Sequence, residues 1–448
     1  MQIKSRPIPR RLNATAALYG IVALFVGLIA PFYLKVGGDI SIAEVAFPII
    51  LPIVLIMRRK EIGKSSIGMI FLMLGLWLAG QILTDIYRQT DFMDWVRGDA
   101  DIIVFGAGIL VLAGLLGKSE TRKMIFAVGL GLGTMLAAKI EPTQPQTDDP
   151  WKFGYSPGVA LLLFVICCYF FRRRNYFGIV SLVLLVSIAN VVENYRSMVL
   201  FLLITVALTV PLIPEQIGRL RLLPPPGSSA RLIVMASLAL AAGGLAFGMI
   251  KLATMSGMMG QEQQAKNQQQ SQAIGGMFVG GRPEILVSSR AVIDSPILGH
   301  GSWARDPKYI EMLRDIKEQY GIGYDPTAGE DEAADVIPSH SFLFGAWVWA
   351  GILGAAFWFF ILSKVIKSIV RLSILRPATM PLYAYLLVRQ FWNTLFSPFG
   401  STERIATALV VVIMVDLLEQ EIPEALTQKM RSARSAIARS SLWRPSFR

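Results

Sequence analysis

Long runs of apolar residues alternate with short polar segments along most of the 448-residue chain. The stretches 14–34, 232–252 and 341–362 carry almost no charge, and each is long enough to cross a bilayer, which takes about 20 helical residues. A soluble protein with buried helices would place polar residues at helical spacing along these runs, and they have none. The pattern therefore predicts an all-α integral membrane protein.

The breaks between the apolar runs predict about twelve transmembrane helices. They are placed near residues 14–34, 41–57, 66–87, 101–117, 123–139, 157–171, 176–193, 197–213, 232–252, 341–363, 379–396 and 403–419. Pro48 and Pro52 predict a kink in the second helix. The basic N-terminal segment leads straight into a full-length span without a clear cleavage site, so we expect it to be retained rather than removed as a signal peptide.

The formal net charge of +12 changes this picture only through its placement. Lys and Arg cluster in every second segment between the runs, and the C-terminal tail is basic as well. Such a bias marks the cytoplasmic side of membrane proteins and argues against a nucleic-acid partner. We therefore expect a multi-pass protein of the bacterial inner (cytoplasmic) membrane, with both termini in the cytoplasm.

This orientation divides the chain into four parts. Residues 1–252 form transmembrane helices 1–9, residues 253–340 a large periplasmic loop, residues 341–419 helices 10–12, and residues 420–448 a basic cytoplasmic tail. After a Gln-rich stretch, the loop predicts one helix from Pro283 to Asp294 and a second that starts at Asp306-Pro307 and ends at Gly321. We call residues 253–340 the cap, since they predict a structured lid rather than a simple connection.

Arginines on the periplasmic side run against the charge bias and are candidates for function. Arg196 stands in a very short turn between two predicted helices, and Arg282 and Arg290 belong to the first cap helix. An interfacial side chain that reaches the lipid headgroups explains Arg196 equally well, and a solvated helix face is the simpler explanation of Arg282 or Arg290 alone.

His340 stands where the cap returns to the membrane, and His300 is the other histidine of the chain. A histidine in that position could take a proton from a sugar hydroxyl, although a helix-capping or interfacial role is the simpler explanation. Arg389 and Asp85 fall inside predicted spans and would face the bundle interior or a wet cavity, with structural pairing as an adequate alternative. The two histidines and the adjacent Cys167 and Cys168 offer no metal cluster, and no nucleotide-binding motif occurs, so neither a metal nor a cofactor is expected.

Three features together resemble the O-antigen ligase and O-antigen polymerase superfamily. Arg282 leads a helix that runs into Asp294-Ser295-Pro296-Ile297-Leu298-Gly299-His300-Gly301, which is similar to the family's acidic-Pro-Leu-Gly-x-Gly turn. His340-Ser341-Phe342-Leu343 then precedes Gly351-Ile352-Leu353-Gly354, like the family's histidine-led entry to the next helix, with Ser341 where the family often has Asn. The third feature is the twelve-span layout with a late periplasmic loop. The resemblance is best over about residues 193–360.

The resemblance implies a metal-independent glycosyltransferase that uses an undecaprenyl-diphosphate-linked glycan at the periplasmic face. Arg196 and Arg282, with Arg290 as a further candidate, would bind the diphosphate, and His340 would orient or deprotonate the acceptor hydroxyl. The acceptor would be a glycan or a lipid-linked glycan, in lipopolysaccharide or exopolysaccharide synthesis. Ligation and repeat-unit polymerisation stay open, because they use the same donor and differ only in the acceptor. The alternative class is a many-spanning transporter or lipid-linked glycan flippase, which predicts internal repeats that this sequence does not show.

Overall fold

The computed structural model describes residues 14–35, 39–62, 66–193, 195–210, 282–319 and 336–422, together with single positions at 234, 237, 241, 244, 248 and 424. The predicted ninth helix at 232–252, the Gln-rich stretch of the cap and most of the basic tail lie outside these residues.

Helices make up nearly all of the described chain. They are α1 (Ala14–Ile29), α2 (Ile42–Ile62), α3 (Ile67–Arg88), α4 (Phe92–Leu116), α5 (Glu120–Ile140), α6 (Gln144–Asp148), α7 (Ser156–Arg172), α8 (Tyr176–Val192), α9 (Arg196–Thr209), α10 (Glu284–Asp294), α11 (Pro307–Gln319), α12 (Phe342–Leu375), α13 (Met380–Phe396) and α14 (Ser401–Glu419). A π-helical turn, Trp151–Tyr155, leads into α7. Strands β1 (Tyr33–Lys35) and β2 (Asp39–Ser41) pair antiparallel, with Tyr33 opposite Ser41.

Several of these helices suit a bilayer in length and composition. In the described residues, Ile67–Arg88, Phe92–Leu116, Glu120–Ile140, Trp151–Arg172 and Phe342–Leu375 are each long and apolar enough to cross a membrane. Large apolar side chains also cover the outside of the bundle, among them Ile49, Ile56 and Phe177. Such a surface would be unstable in water and is stable against lipid. The chain is therefore an all-α, membrane-embedded protein.

Several helices depart in length from the sequence pattern. The first, predicted at 14–34, ends at Ile29, because residues 33 and 34 pair with β2 as part of strand β1. The pattern predicts that the fourth helix starts at residue 101, whereas α4 begins at Phe92 because the Asp91 carboxylate caps it by accepting a hydrogen bond from the Met93 amide at 2.9 Å. The tenth predicted helix ends at 363, whereas α12 continues to Leu375 and is interrupted at Gly351, where φ is 62°. A regular helix excludes that dihedral angle, so α12 consists of two helical segments joined at a break.

The bundle core lies where α3, α4, α12 and the turn before α14 meet. Large aromatic rings fill it in edge-to-face and stacked arrangements: Trp77, Phe105, Phe342, Phe357, Trp358 and Phe399. Elsewhere α1 packs against α5 at close range, since a Cβ on Gly27 would come within 2.9 Å of the Leu130 amide nitrogen. Small residues allow this backbone approach between membrane helices.

The two cap helices lie where the sequence predicts them. α10 spans Glu284–Asp294, directly after Pro283, and α11 begins at Pro307. They share a small apolar core that includes Val287, Tyr309 and Val348 of α12. The cap is therefore packed onto the membrane bundle through α12.

The turn between the cap helices enters the break in α12. The backbone amides of His300 and Gly301 donate to the carbonyls of Val348 and Trp349 at 2.6 Å and 3.2 Å. A helix break leaves such carbonyls without their intrahelical partners, and the turn supplies new ones. On the other side of the same turn, the Asp85 carboxylate of α3 accepts two hydrogen bonds from Ser302, each of 2.6 Å.

Candidate functional site

Arg282 stands just before α10 and reaches the end of α13. Its guanidinium lies over the rings of Trp392 and Phe396, 5.0 Å and 5.6 Å from their centroids. These cation–π contacts hold the first residue of the described cap against the membrane bundle. Burial lowers the pKa of Arg282, and the nearby Glu284 opposes that shift.

One face of α13 carries both aromatic contacts and a buried charge. Three residues follow Arg389 at helical spacing, three, four and seven positions later: Trp392, Asn393 and Phe396. This spacing places all four side chains on one stripe of the helix. The Arg389 guanidinium donates to Glu403 of α14 at 2.6 Å, and the Asn393 amide donates to the other oxygen of the same carboxylate at 2.9 Å. Glu403 therefore receives two donors from α13.

The short turn before α9 closes another side of this region. Phe201 of α9 packs edge-on against Trp392, with ring centroids 5.4 Å apart. Tyr195 lies within electrostatic range of Arg389, Glu403 and Arg282. Arg196 is the next residue of the chain, opens α9 and is half-buried. The turn with Arg196 and the start of the cap with Arg282 thus meet at the same end of the bundle, which we call the cap end.

His340 is fixed at the cap end by its neighbour Ser341. The buried Ser341 hydroxyl donates to the Thr394 carbonyl of α13 at 2.9 Å and accepts from the Phe344 amide at 3.2 Å, so it caps α12 and ties it to α13. The His340 side chain itself is accessible to solvent. Within the described part of the chain, no group hydrogen-bonds its ring.

Charged groups surround His340 on several sides. Although the His340 side chain is exposed, the protein around its ring removes part of its hydration, and this desolvation lowers the pKa of His340; Glu284 raises it, whereas Arg282, Lys317 and Lys152 lower it further. An imidazole with a lowered pKa is neutral at neutral pH and can accept a proton. An accessible, neutral histidine therefore lies beside the arginine that opens the cap.

Arg290 belongs to a different cluster. Its exposed guanidinium pairs with Asp294 at 2.9 Å, and Asp294 also accepts from Lys308 at 2.6 Å and Tyr309 at 2.8 Å. Hydrogen bonds from Lys308 and Tyr309 lower the pKa of Asp294 to about 2. The structure thus brings Arg282 and His340 together and places Arg290 at the other end of α10, within a cluster that joins α10 to α11.

His300 has a structural environment. Its ring contacts the Ala291 carbonyl at 2.8 Å through Nε2 and packs edge-on against Tyr309. Burial lowers the pKa of His300, which keeps the ring neutral inside the cap. Of the two histidines, only His340 faces the cap end with an accessible ring.

The sequence pattern predicts that Arg389 and Asp85 are charges inside the spans, and it does not name their partners. The structure pairs Arg389 with Glu403 and Asp85 with Ser302. Glu403, Asn393, Trp392 and Tyr195 were not singled out by the sequence pattern. The helical spacing of Arg389, Trp392 and Phe396 was a signal for the shared face, but the approach of Arg282 to that face depends on the tertiary fold.

Among the described residues, no group of three or more histidine, cysteine, aspartate or glutamate side chains stands close enough to hold a metal ion. Cys167 and Cys168 are buried in α7. The positive charge of the cap end in this part of the chain comes from arginine and lysine.

No family model matches the chain, and a search of curated proteins finds no significant relative.

Proposed function

We propose that this protein transfers a glycan from an undecaprenyl-diphosphate carrier to a hydroxyl group of a glycan or lipid-linked glycan acceptor at the cap end. The observation that carries the proposal is that Arg282 and the accessible His340 meet at the end of α13: Arg282 lies over Trp392 and Phe396, and Ser341, the neighbour of His340, is bonded to Thr394. A cationic group beside a proton acceptor, at the edge of a membrane-embedded bundle, suits a reaction between a lipid-borne anion and a sugar hydroxyl.

Each residue has a defined part in the proposed reaction. The acceptor oxygen forms a bond to the anomeric carbon of the donor sugar while the bond from that carbon to the diphosphate oxygen breaks. The electron pair leaves with the diphosphate, where Arg282 and Arg196 stabilise the negative charge by charge-assisted hydrogen bonds. His340 accepts the proton from the acceptor hydroxyl. The arginines supply the positive charge, so the proposed glycosyltransferase is metal-independent.

The membrane orientation is part of the proposal. The Thr209 carbonyl, at the end of α9, accepts from Arg376 at the end of α12, at 3.4 Å, whereas Arg282 contacts α13 at the cap end. The chain between residues 210 and 282 therefore begins and ends at opposite ends of the bundle. We therefore keep the predicted twelve spans as part of the proposal, with the cap end in the periplasm of the inner membrane and both termini in the cytoplasm.

The resemblance to the O-antigen ligase and polymerase superfamily supports the same proposal. The positions that carry the resemblance fall on distinct parts of the structure: Arg282 and His340 at the cap end, and the turn from Pro296 to Gly301 at the break in α12. Ligation of a finished glycan and polymerisation of repeat units both fit this arrangement, because they share the donor.

The test is to replace Arg282 and His340 singly by alanine in the cell and to analyse the glycans. We expect both variants to lose long-chain glycan from the cell surface while carrier-linked glycan accumulates at the periplasmic face. His300→Ala is the matched control, since it removes a histidine of the cap whose ring contacts Ala291 and Tyr309, and it should retain transfer in proportion to the folded protein.

Two results would contradict the proposal. Accumulation of lipid-linked units on the cytoplasmic face would indicate the alternative function, a flippase or transporter. Wild-type glycan in both alanine variants, at normal protein levels, would show that the proposed site is wrong.

In a deletion strain, surface glycan of one repeat would assign a polymerase, and full-length glycan retained on the carrier would assign a ligase.

A further inference from the structure

Arg389 is a charged residue inside a membrane helix, a position that is costly and usually functional. It lies in α13, and its partner Glu403 lies in the neighbouring α14, 2.6 Å from the guanidinium. Asn393, one turn along α13, holds the second carboxylate oxygen at 2.9 Å. The proposed reaction has so far used neither Arg389 nor Glu403.

Arg389 lies on the face of α13 that Arg282 contacts. Trp392 and Phe396, the two rings under Arg282, follow Arg389 by three and seven residues. A helix rises about 1.5 Å per residue, so these rings lie about 5 Å and 10 Å further along the axis toward the cap end. Tyr195 is within electrostatic range of both arginines. Arg282 and Arg389 are therefore two successive cationic positions along one face of α13, with Arg389 farther from the cap end.

The Arg389–Glu403 pair also differs from the ion pair beside it in accessibility. Arg404, the next residue of α14, pairs with Glu44, and these side chains are only 4% and 1% exposed. The side chains of Arg389 and Glu403 are 17% and 18% exposed. The first pair is closed inside the bundle, whereas the second is partly exposed.

We infer that Arg389 binds the diphosphate of the lipid donor together with Arg282, and that Glu403 holds Arg389 in place while the donor is absent. The inference rests on the proposed function and adds one donor-binding residue and its internal competitor. A diphosphate carries at least two negative charges, and one arginine can donate to a phosphate in bidentate fashion. When Arg389 turns to the phosphate, Asn393 still donates to Glu403.

The experiment measures binding of undecaprenyl diphosphate to the full-length protein in lipid nanodiscs, with thermal unfolding as the check on folding. Undecaprenol, which lacks the phosphates, and inorganic pyrophosphate, which lacks the lipid, are the comparison probes. The variants are Arg389→Lys, Glu403→Gln and the exchange of both charges, Arg389→Glu with Glu403→Arg. Glu44→Gln is the matched control, because it removes the carboxylate partner of Arg404, which follows Glu403 in α14 and belongs to the closed pair.

We expect Arg389→Lys to weaken binding of undecaprenyl diphosphate about tenfold, since lysine cannot form the bidentate contact. Glu403→Gln should tighten binding, because the competing carboxylate is gone. The variant with both charges exchanged should unfold near the wild-type temperature, because it keeps an ion pair. It should nevertheless lose the binding of undecaprenyl diphosphate. Glu44→Gln should lower the unfolding temperature and leave the affinity of the folded protein unchanged.

Different failures are separable. If Arg389→Lys and the charge exchange bind as wild type while Arg282→Ala loses binding, Arg389 is structural, and the inference is wrong although the proposed function stands. If wild type binds undecaprenyl diphosphate no better than undecaprenol, both are wrong. If inorganic pyrophosphate competes as well as the lipid and depends on Arg389, the anion site is supported and the lipid donor is contradicted.

Discussion

The Ile297 carbonyl accepts a hydrogen bond from the Ile352 amide at 3.0 Å, so the turn of the cap supplies the partner that an unbroken helix would have given this amide. The bond exists because the helix is interrupted one residue earlier, at Gly351, where φ is 62°. The break in α12 and the docking of the cap are thus one structural feature. Through it, the cap that starts with Arg282 is held in register with α12, which His340 precedes.

Gly351→Ala tests this feature. A Cβ at this position would overlap the Ile297 carbonyl, and the positive φ is itself costly for any residue other than glycine, at ~1–3 kcal/mol. We expect a lower unfolding temperature in detergent and faster proteolysis within the cap. Gly75→Ala, in the middle of α3 with no atom within 4 Å of the added Cβ, is the control and should not destabilise the protein. Equal stability of the two variants would contradict the docking described above.

The pH dependence of transfer tests the part assigned to His340. Its folded pKa is lowered, mainly by burial, so the neutral base persists as the pH rises and is lost only as the pH falls below the ordinary histidine value of about 6.5. Activity should therefore be flat through neutral pH and fall on the acid side. Since Glu284 raises the pKa of His340, Glu284→Gln should move this acid limb to still lower pH.

The matched control for this shift is Glu311→Gln, which changes an exposed carboxylate of α11. An acid limb that does not move in Glu284→Gln, measured as a pH–rate profile with lipid-linked donor, would exclude His340 as the titrating base.

Sequence patterns predicted the helical elements well where a single helix carries its own signals. α8 was expected at 176–193 and spans Tyr176–Val192, and Pro283 and Asp294 flagged the limits of α10. The break at Gly351 could not be predicted, because it lies in an uninterrupted apolar run and is set by contact with the cap turn. Local signals report local structure, whereas a positive φ within a helix depends on what packs against it.

The residues of the candidate site also differ in how far the sequence predicts their positions. Arg282 and His340 both belong to the cap, so the predicted topology alone places both at one membrane face. Arg389 was recognised as a buried charge, but its position under Arg282 depends on how α13 packs against the start of the cap. The sequence pattern makes Arg290 a further candidate for the diphosphate, yet Arg290 lies toward the far end of α10, where it pairs with Asp294.

Arg290→Ala distinguishes the sequence expectation from the structure. Its exposed pair with Asp294 contributes little to stability, because solvent screens it. We expect a small drop in unfolding temperature and unchanged binding of undecaprenyl diphosphate. Arg282→Ala, by contrast, should lower the affinity at least tenfold. If Arg290→Ala weakened binding as much as Arg282→Ala, Arg290 would belong to the donor site, as the sequence pattern predicts.

Substitutions in the ion cluster around Arg404 should change the stability of the protein and leave its binding of the donor unchanged. Arg404 donates to both oxygens of Glu44 at 2.8 Å and also contacts Asp101, which ties α14 to α2 and α4. Arg404→Met should cost ~3–5 kcal/mol, because it leaves two carboxylates buried without their partner. Adding Glu44→Gln and Asp101→Asn removes those charges and should recover most of the loss in unfolding temperature. A triple variant as unstable as Arg404→Met would mean that the cluster stabilises the bundle through its charges rather than merely avoiding unpaired ones.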